Sequence, residues 1–522
     1  MRFGPHNEVY VIKGNDKNAL LLAENIATHD MEEKRPDKKR LIVFLLDEDD
    51  DEEKIHKKAV HFEGIVQVLD RKHDLSYCLN KARLGKRSWL GKEKKYAVIL
   101  MPRNESAPDD ACHTAEFAKR RGVTPDKLDI YVFTSSEWDR EKIEEITQAK
   151  DGEQRKYPYT FHIVSEVDLL IRQMIEKHPP FECPGLNFSS GKAGRNFTVM
   201  ILGFGTVGQS ALLRLVMNGQ FVGSRMRAVI VDKDIEHLRE HFLYRHPSLQ
   251  LCCETEYMSF DVRDEDFYKM LNEKCHLDYI VVSLNDDVLS KQMALDIRLH
   301  YERKNSDIPF IAVSEKCGSL RQTKQDDKLF VFGCQEDIYN ESVIIREKTD
   351  RMAKAVNDAY KKMYGGQLWH ELDWFLQESN RAAADFIPAM LKLAKLNEKE
   401  AIDKNTLTDD ISLAEILAQT EHLRWNAFHT VMGYRPIDIK EMKRRFNEYN
   451  GNGNRLDYAR RDSKARLQVC LVPWDELDEI SGAYRELERL TSIEPKRNFK
   501  ENDHEIIRNI PMFLRTAKGG LA

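Results

Sequence analysis

The segment Phe197-Thr-Val-Met-Ile-Leu202 is a continuous apolar run, and Gly203-Phe-Gly205-Thr-Val-Gly208 follows it without a spacer. A helical pattern over 209–218, with Leu212, Leu213, Leu215 and Val216, comes next. A lone G-x-G-x-x-G is weak evidence, but the same glycines between a strand and a helix define the turn of a Rossmann unit. Gly203 permits the tight turn, Gly205 lets backbone approach a pyrophosphate, and Gly208 lets helix and strand pack closely. The helix N terminus adds free N–H groups and the positive end of the helix dipole.

The downstream pattern extends this unit. Ala228-Val-Ile-Val-Asp232 is expected to be the second strand, and its terminal acid sits where ribose hydroxyls bind, with Lys233 beside it. Tyr257-Met-Ser-Phe-Asp261 reads as a third strand ending in a second acid. Asp278–Leu284, Pro309–Ser314 and Leu329–Gly333 supply three more. Ligands of open α/β sheets lie beyond the carboxyl ends of the strands. The expected cofactor-binding residues are therefore Gly203, Phe204, Gly205, Thr206, Val207, Gly208, Asp232, Lys233, Asp261, Ser283 and Asn285. An acid at 232 favours a 2′-hydroxyl, and so NAD or a related adenosine nucleotide over NADP.

The region before it shows the same alternation. Val9–Ile12, Leu41–Leu46, Gly64–Leu69, Tyr96–Met101 and Asp129–Thr134 are short apolar runs separated by helical patterns, which implies a parallel sheet with right-handed crossovers. The turn after the first run, 13–19, has one glycine where a dinucleotide site wants three, so this unit is expected to be structural or dimerising. The acidic run 47–53 reads as a solvated loop; its spacing matches no EF-hand. The Pro- and Gly-containing stretch 179–194 marks a boundary. The fold class is thus α/β, with two tandem Rossmann-like parallel-sheet domains, 1–178 (degenerate) and 195–340, and a mainly α-helical C-terminal segment, 341–522.

In that last segment Ser342–Met363 reads as one amphipathic helix, ended by Gly365-Gly366. Ser412–Met432 reads as another, opened by a Ser412/Glu415 capping box. At 100° per residue Leu413, Ile416, Leu417, Thr420, Ala427, Phe428 and Val431 share a stripe, with Arg424 in its middle and Glu421 at its edge. A charge on a buried face must be paired or meet a ligand. The pair Glu421–Arg424, three residues apart, is the structural reading; an anionic ligand held by Arg424 is the functional one. His422, Trp425 and His429 fall on the other face, with His spacing unsuited to zinc.

Composition narrows the function. A net charge of −6 argues against a bulk nucleic-acid partner. No apolar run reaches the roughly 20 residues of a membrane span, and the N terminus lacks an apolar signal region, so a cytoplasmic protein is expected. Nine cysteines without paired spacing suggest free thiols and no metal site.

Two resemblances follow. Residues 201–209, Asp232 and Val282-Ser-Leu-Asn-Asp-Asp287 resemble the TrkA-N, or RCK, domain, which implies NAD or adenosine-nucleotide binding and a link to potassium transport. Leu413-Ala414, Glu421-His422, Trp425, Gly433-Tyr434 and Leu471-Val-Pro-Trp-Asp-Glu-Leu477 resemble the ryanodine-receptor (RyR) repeat domain of bacterial proteins, which implies a ligand-binding module. Its expected lining comprises Asn380, Arg381, Glu421, Arg424, Trp425, Tyr434 and Trp474. Together these imply a ligand-sensing regulatory protein, with a homodimer and a membrane-protein or effector partner as the associations to look for. The alternatives are an NAD-dependent oxidoreductase and a cytosolic subunit of a potassium transporter. The oxidoreductase lacks support, since the turn after the fourth strand carries no His or Lys to act as acid or base.

Overall fold

The computed structural model describes residues 6–14, 17–32, 39–45, 65–69, 74–85, 94–101, 107–147, 156–273, 276–315, 327–451, 453–491 and 493–519. The acidic run 47–53 lies outside them. The chain divides into two compact units. One comprises Met1–Leu170 with Cys334–Arg351 and Gly365–Glu378; the other comprises Ile171–Gly333 with Met352–Tyr364 and Ser379–Ala522.

In the first unit six strands, β1 (His6–Lys13), β2 (Lys39–Leu45), β3 (Ile65–Leu69), β4 (Lys95–Leu100), β5 (Leu128–Phe133) and β6 (Thr160–Val164), form one parallel sheet in the order β3-β2-β1-β4-β5-β6. The connections contain α1 (Lys17–Glu32), α2 (Leu75–Lys81), α3 (Ala107–Arg120) and α4 (Glu137–Thr147), and α5 (Glu166–Lys177) follows β6. Val9, Val11, Leu41, Val43, Val98 and Ile130 bury one face of the sheet, and Tyr10, Ile12, Ile42, Phe44 and Ile99 bury the other. Burial on both faces is why these strands read as apolar runs rather than alternating patterns.

The second unit repeats the plan. Strands β7 (Thr198–Leu202), β8 (Met226–Val231), β9 (Cys253–Met258), β10 (Tyr279–Val282), β11 (Phe310–Ser314) and β12 (Leu329–Phe332) pair in parallel in the order β9-β8-β7-β10-β11-β12. Helices α6 (Thr206–Asn218), α7 (Ile235–Arg245), α8 (Glu265–Glu273) and α9 (Asp287–Arg303) connect them. In each sheet the strand order reverses between the first and fourth strands, the position of the ligand crevice in doubly wound folds. The rest of the unit is mainly helical, with α10 (Arg351–Tyr364), α11 (Trp374–Leu393), α12 (Ile411–Val431), α13 (Ile439–Glu448), α14 (Leu477–Leu490) and α15 (Phe499–Gly519). It also carries a two-stranded ribbon (Phe188–Ser189 with Lys192–Ala193) and a small three-stranded sheet (Arg435–Pro436, Leu467–Gln468 and Arg461–Asp462). Among the described residues no helix is long and apolar enough to cross a membrane.

The expected single helix over 342–363 is two pieces, a turn at Glu341–Ile344 and then α10. Glu347 breaks it, with a left-handed backbone at φ 46°. Residues 334–351 form a strap on the first unit. Arg40 of β2 donates to both carboxylate oxygens of Glu341 at 2.8 and 3.1 Å, and both side chains are buried. Asn25 Oδ1 accepts from the Glu341 N–H, and Tyr131 donates to the Ile345 carbonyl. His162 of β6, stacked on Tyr131 with ring centroids 4.3 Å apart, lies 2.8 Å from Glu347 and 3.5 Å from Asp129.

Burial opposes charging His162, but the Glu347 and Asp129 carboxylates outweigh it and raise its pKa to about 9. A raised pKa stabilises the folded state fully below the ordinary histidine value of roughly 6.5 and loses that contribution as pH climbs through the folded value. Hydrogen exchange over 334–351, corrected for intrinsic rates, is therefore expected to accelerate as pH passes through about 9 in the parent protein. In His162→Gln that pH-dependent step should vanish; an unchanged step would assign it to another group.

Candidate functional site

The glycine turn is built by backbone contacts that side chains would obstruct. Gly203 has φ +87°, and a Cβ there would lie 2.6 Å from the Ser283 carbonyl oxygen at the end of β10. A Cβ on Gly208 would meet the Gly203 carbonyl oxygen at 2.0 Å, so α6 rests directly on the turn. Ser283 Oγ donates to that same carbonyl at 2.9 Å and closes the junction. Gly205 differs: its backbone is extended, and among the described residues no atom lies within 4 Å of a Cβ built there.

Gly205 is also the N-cap of α6 and, lacking a side chain, cannot itself cap the N–H groups of the first turn. Across the switch point, α9 is capped conventionally: Asp286 accepts from the Val288 and Leu289 N–H groups at 2.9 and 3.0 Å. Of the two helix termini flanking the reversal, only the one at the glycine turn lacks a cap from its own N-cap side chain.

Asp232 follows β8 as expected and has a positioning role the sequence does not reveal. Its Oδ2 accepts from the Phe204 N–H at 2.7 Å and its Oδ1 from the Asp234 N–H at 2.8 Å. This ties the glycine turn to the end of β8, and each oxygen keeps a further lone pair. Lys233 is exposed beside it, as are Thr206 and Asn285, while Val207 is half-buried. Phe204 is fully buried and packs edge-on against Phe242, with centroids 4.9 Å apart, so it contributes only its backbone to the turn.

Asp261 is not at a strand end. The third strand is Cys253–Met258, four residues earlier than expected at its start, and Asp261 sits in the turn beyond it. Its carboxylate is engaged by Arg263 through the guanidinium, at 2.8 and 2.5 Å, and through the backbone N–H at 3.0 Å. The Arg263 side-chain hydrogen bonds hold its pKa well below the usual carboxylate range.

The helical residues expected to line a second site separate into two groups. Arg424 lies on the buried face of α12 and donates to both oxygens of Glu421 at 2.9 and 2.6 Å. Both side chains are about 2–3% exposed. The pairing is thus the structural one, although among the described residues Arg424 Nη1 is buried without a hydrogen-bond partner. Desolvation pushes the Glu421 pKa up, and Arg424 opposes it. The opposite face of α12 is packed too: Trp425 stacks with His422 and lies 3.9 Å from His429 in a tilted contact, and Tyr434 meets His429 edge-on at 5.1 Å. Burial lowers the His429 pKa to about 3, which keeps the ring neutral. Trp474 is buried against His422 and donates Nε1–H to Glu415 at 2.9 Å. Asn380 and Arg381 are half-buried on α11, where Asn380 lies 3.5 Å from Asn357.

Glu415 therefore serves Trp474 rather than a capping box. The N-cap of α12 is Asp410, which accepts from the Ser412 and Leu413 N–H groups. His422 was missed as a structural residue. Its Nε2 is 2.8 Å from the Val472 carbonyl and its Nδ1 3.3 Å from Asp503. No family model matches the chain, and no curated protein matches it.

Two stability predictions follow from these contacts. Gly208→Ala is expected to destabilise the second unit by about 1–3 kcal/mol, because the added methyl overlaps backbone and forces a shift. A denaturant midpoint within error of the parent would show that the turn relaxes freely. Arg424→Ala should cost about 3–5 kcal/mol by stranding a buried carboxylate, whereas Glu421→Leu with Arg424→Met should restore most of it. Equal losses in both variants would mean that packing, not charge, sets the cost.

Proposed function

We propose that the second sheet binds NAD or a related adenosine nucleotide at the glycine turn, and that the protein is a ligand-responsive regulator rather than an enzyme. The carrying observation is the contrast at the switch point. α6 begins at a glycine that offers no capping side chain and has no described atom within 4 Å of a Cβ built on it, and α9 begins at Asp286, whose carboxylate caps it. A phosphate oxygen over Gly205 would accept from first-turn N–H groups and meet the positive end of the helix dipole. Asp232, steered by two backbone donors, is suited to accept ribose hydroxyls.

The regulatory reading rests on what faces the other half of the crevice. Ser283 is used on Gly203 and Asp286 on the start of α9, and the turn 283–287 offers no histidine or lysine for proton transfer during hydride chemistry. The TrkA-N-like and RyR-like resemblances agree with nucleotide sensing coupled to a second ligand or partner, and a role beside a potassium transporter belongs to the same reading. A ligand of this kind acts by its differential affinity for two states of the protein.

Calorimetry of the full chain against NAD, ATP and ADP-ribose is expected to give one saturable site. Gly205→Val, at a position with room for a side chain and an ordinary backbone, should melt with the parent and lose at least about tenfold in affinity, or ~1.4 kcal/mol. Saturable binding that survives Gly205→Val together with Asp232→Ala would place the nucleotide elsewhere. NADH turnover with a panel of carbonyl compounds would overturn the regulatory reading.

A further inference from the structure

A cavity of about 340 Å³ lies in the first unit at the amino ends of β1, β4 and β5, the end opposite the glycine-type turn, and the strap residues Glu341, Ile345 and Arg346 bound it. Its volume falls near the lower end of the roughly 300–1,000 Å³ range of small-molecule sites. The charged lining is evenly divided: Glu8, Asp129 and Glu341 against Arg40, Lys95 and Arg346. Tyr10 and Tyr131 supply aromatic surface between them.

The charges differ in how firmly they are committed. Arg40 and Glu341 form the buried floor, bonded through two contacts with side chains 6% and 3% exposed, and Glu8, 23% exposed, lies 3.3 Å from Arg40 and accepts from the Tyr10 hydroxyl. Toward solvent the contacts are looser. Lys95 is 59% exposed and 3.2 Å from Asp129, and Arg346 is 43% exposed and 3.3 Å from Glu341. In each contact the cation is the solvent-exposed end and the carboxylate the more buried one, 21% exposed for Asp129 and 3% for Glu341, so an incoming carboxylate reaches Lys95 and Arg346 from the solvent side while both acids stay in place. The buried Arg40–Glu341 pair is not open to exchange, because stranding either partner is expensive. His162 anchors Asp129 from behind, at 3.5 Å, and so fixes one acidic corner of the mouth.

A lone anion brought to this mouth would gain Lys95 and Arg346 but face Glu8 and Asp129. A lone cation would meet the reverse. A molecule with both charges a few bonds apart satisfies both sides at once. We propose that this cavity binds a small zwitterion of the α-amino-acid class, its carboxylate taken by Lys95 and Arg346 and its ammonium by Glu8 and Asp129. The site is independent of the nucleotide reading, since it shares no residue with the glycine turn.

The test uses the full chain. Thermal shift followed by calorimetry is run with each of the common α-amino acids at millimolar concentration. For any binder, the α-keto acid and the amine that each lack one of its charged groups are run in parallel. The expected result is one-to-one binding of at least one amino acid, with both single-charge analogues weaker by about tenfold or more. Lys95→Glu, at an exposed position, should fold like the parent and abolish the binding, while Gly205→Val should leave it intact. Failure of every amino acid to bind, equal binding of a single-charge analogue, or undiminished binding by folded Lys95→Glu would each overturn the proposal.

Discussion

One carbonyl, that of Gly203, organises the second sheet. Ser283 Oγ donates to it at 2.9 Å from the neighbouring strand, and the Gly208 Cα lies so close that an added Cβ would reach 2.0 Å from its oxygen. Strand β7, strand β10 and helix α6 thus converge on a single peptide. The approached atoms are backbone, so no change of rotamer could relieve a side chain inserted there. The convergence sets the direction in which α6 leaves the sheet, and with it the line along which the first-turn N–H groups point. The Asp232 contact with Phe204 N–H secures the same turn from the other side.

Much of this architecture is legible in the sequence, because buried parallel strands are apolar on both faces and stand out against charged connections. The segments 9–12, 41–45, 96–100 and 310–314 are strands for that reason. The exceptions have physical causes. The strand Thr160–Val164 is only partly buried and carries His162, so it shows no apolar run. The strand Cys253–Met258, at the sheet edge, reads Cys-Glu-Thr-Glu-Tyr-Met and draws its pairing from β8 rather than from its own burial. Asp410 beats Ser412 to the cap of α12 because both are good caps and only the turn geometry decides between them. The contacts of the candidate site were partly legible: the glycine turn from its spacing, and the Glu421–Arg424 pair from its three-residue separation. The second duty of Asp232, on Phe204 N–H, was hidden because it depends on how two strand ends approach.

The break at Glu347 was also hidden, and charge explains why the chain tolerates it. A left-handed glutamate costs of the order of 1–3 kcal/mol. Its carboxylate meets His162, whose raised pKa records a favourable interaction with the ionised partner. Arg40 and Glu341 are 301 residues apart in sequence, and neither could be buried here without the other. Arg172 and Asp385, joined by two 2.9 Å hydrogen bonds, make a similar long-range clamp in the second unit. Such pairs add little net stability against an apolar alternative. They do penalise every misplacement of the returning segment, because a slipped register strands a charge.

The two switch points share a framework but differ at the residues that matter. Gly14 has φ +134° and a Cβ there would lie 2.5 Å from the Met101 carbonyl, as Gly203 approaches Ser283. In both units the helix starts three residues after this glycine, at Lys17 and at Thr206. In that register Ala19, fully buried, occupies the place of Gly208. A methyl is therefore accommodated where the second unit allows none, so the first helix cannot rest on its turn in the same way. Lys13, the last residue of β1, is ion-paired with Asp110 in the first turn of α3, on the far side of the reversal. One cation that an anionic ligand would seek at this end of the sheet is thereby already engaged by the protein's own carboxylate. The first unit keeps the glycine that the fold requires and lacks those that phosphate approach requires, which separates the structural demand of the turn from its chemical use.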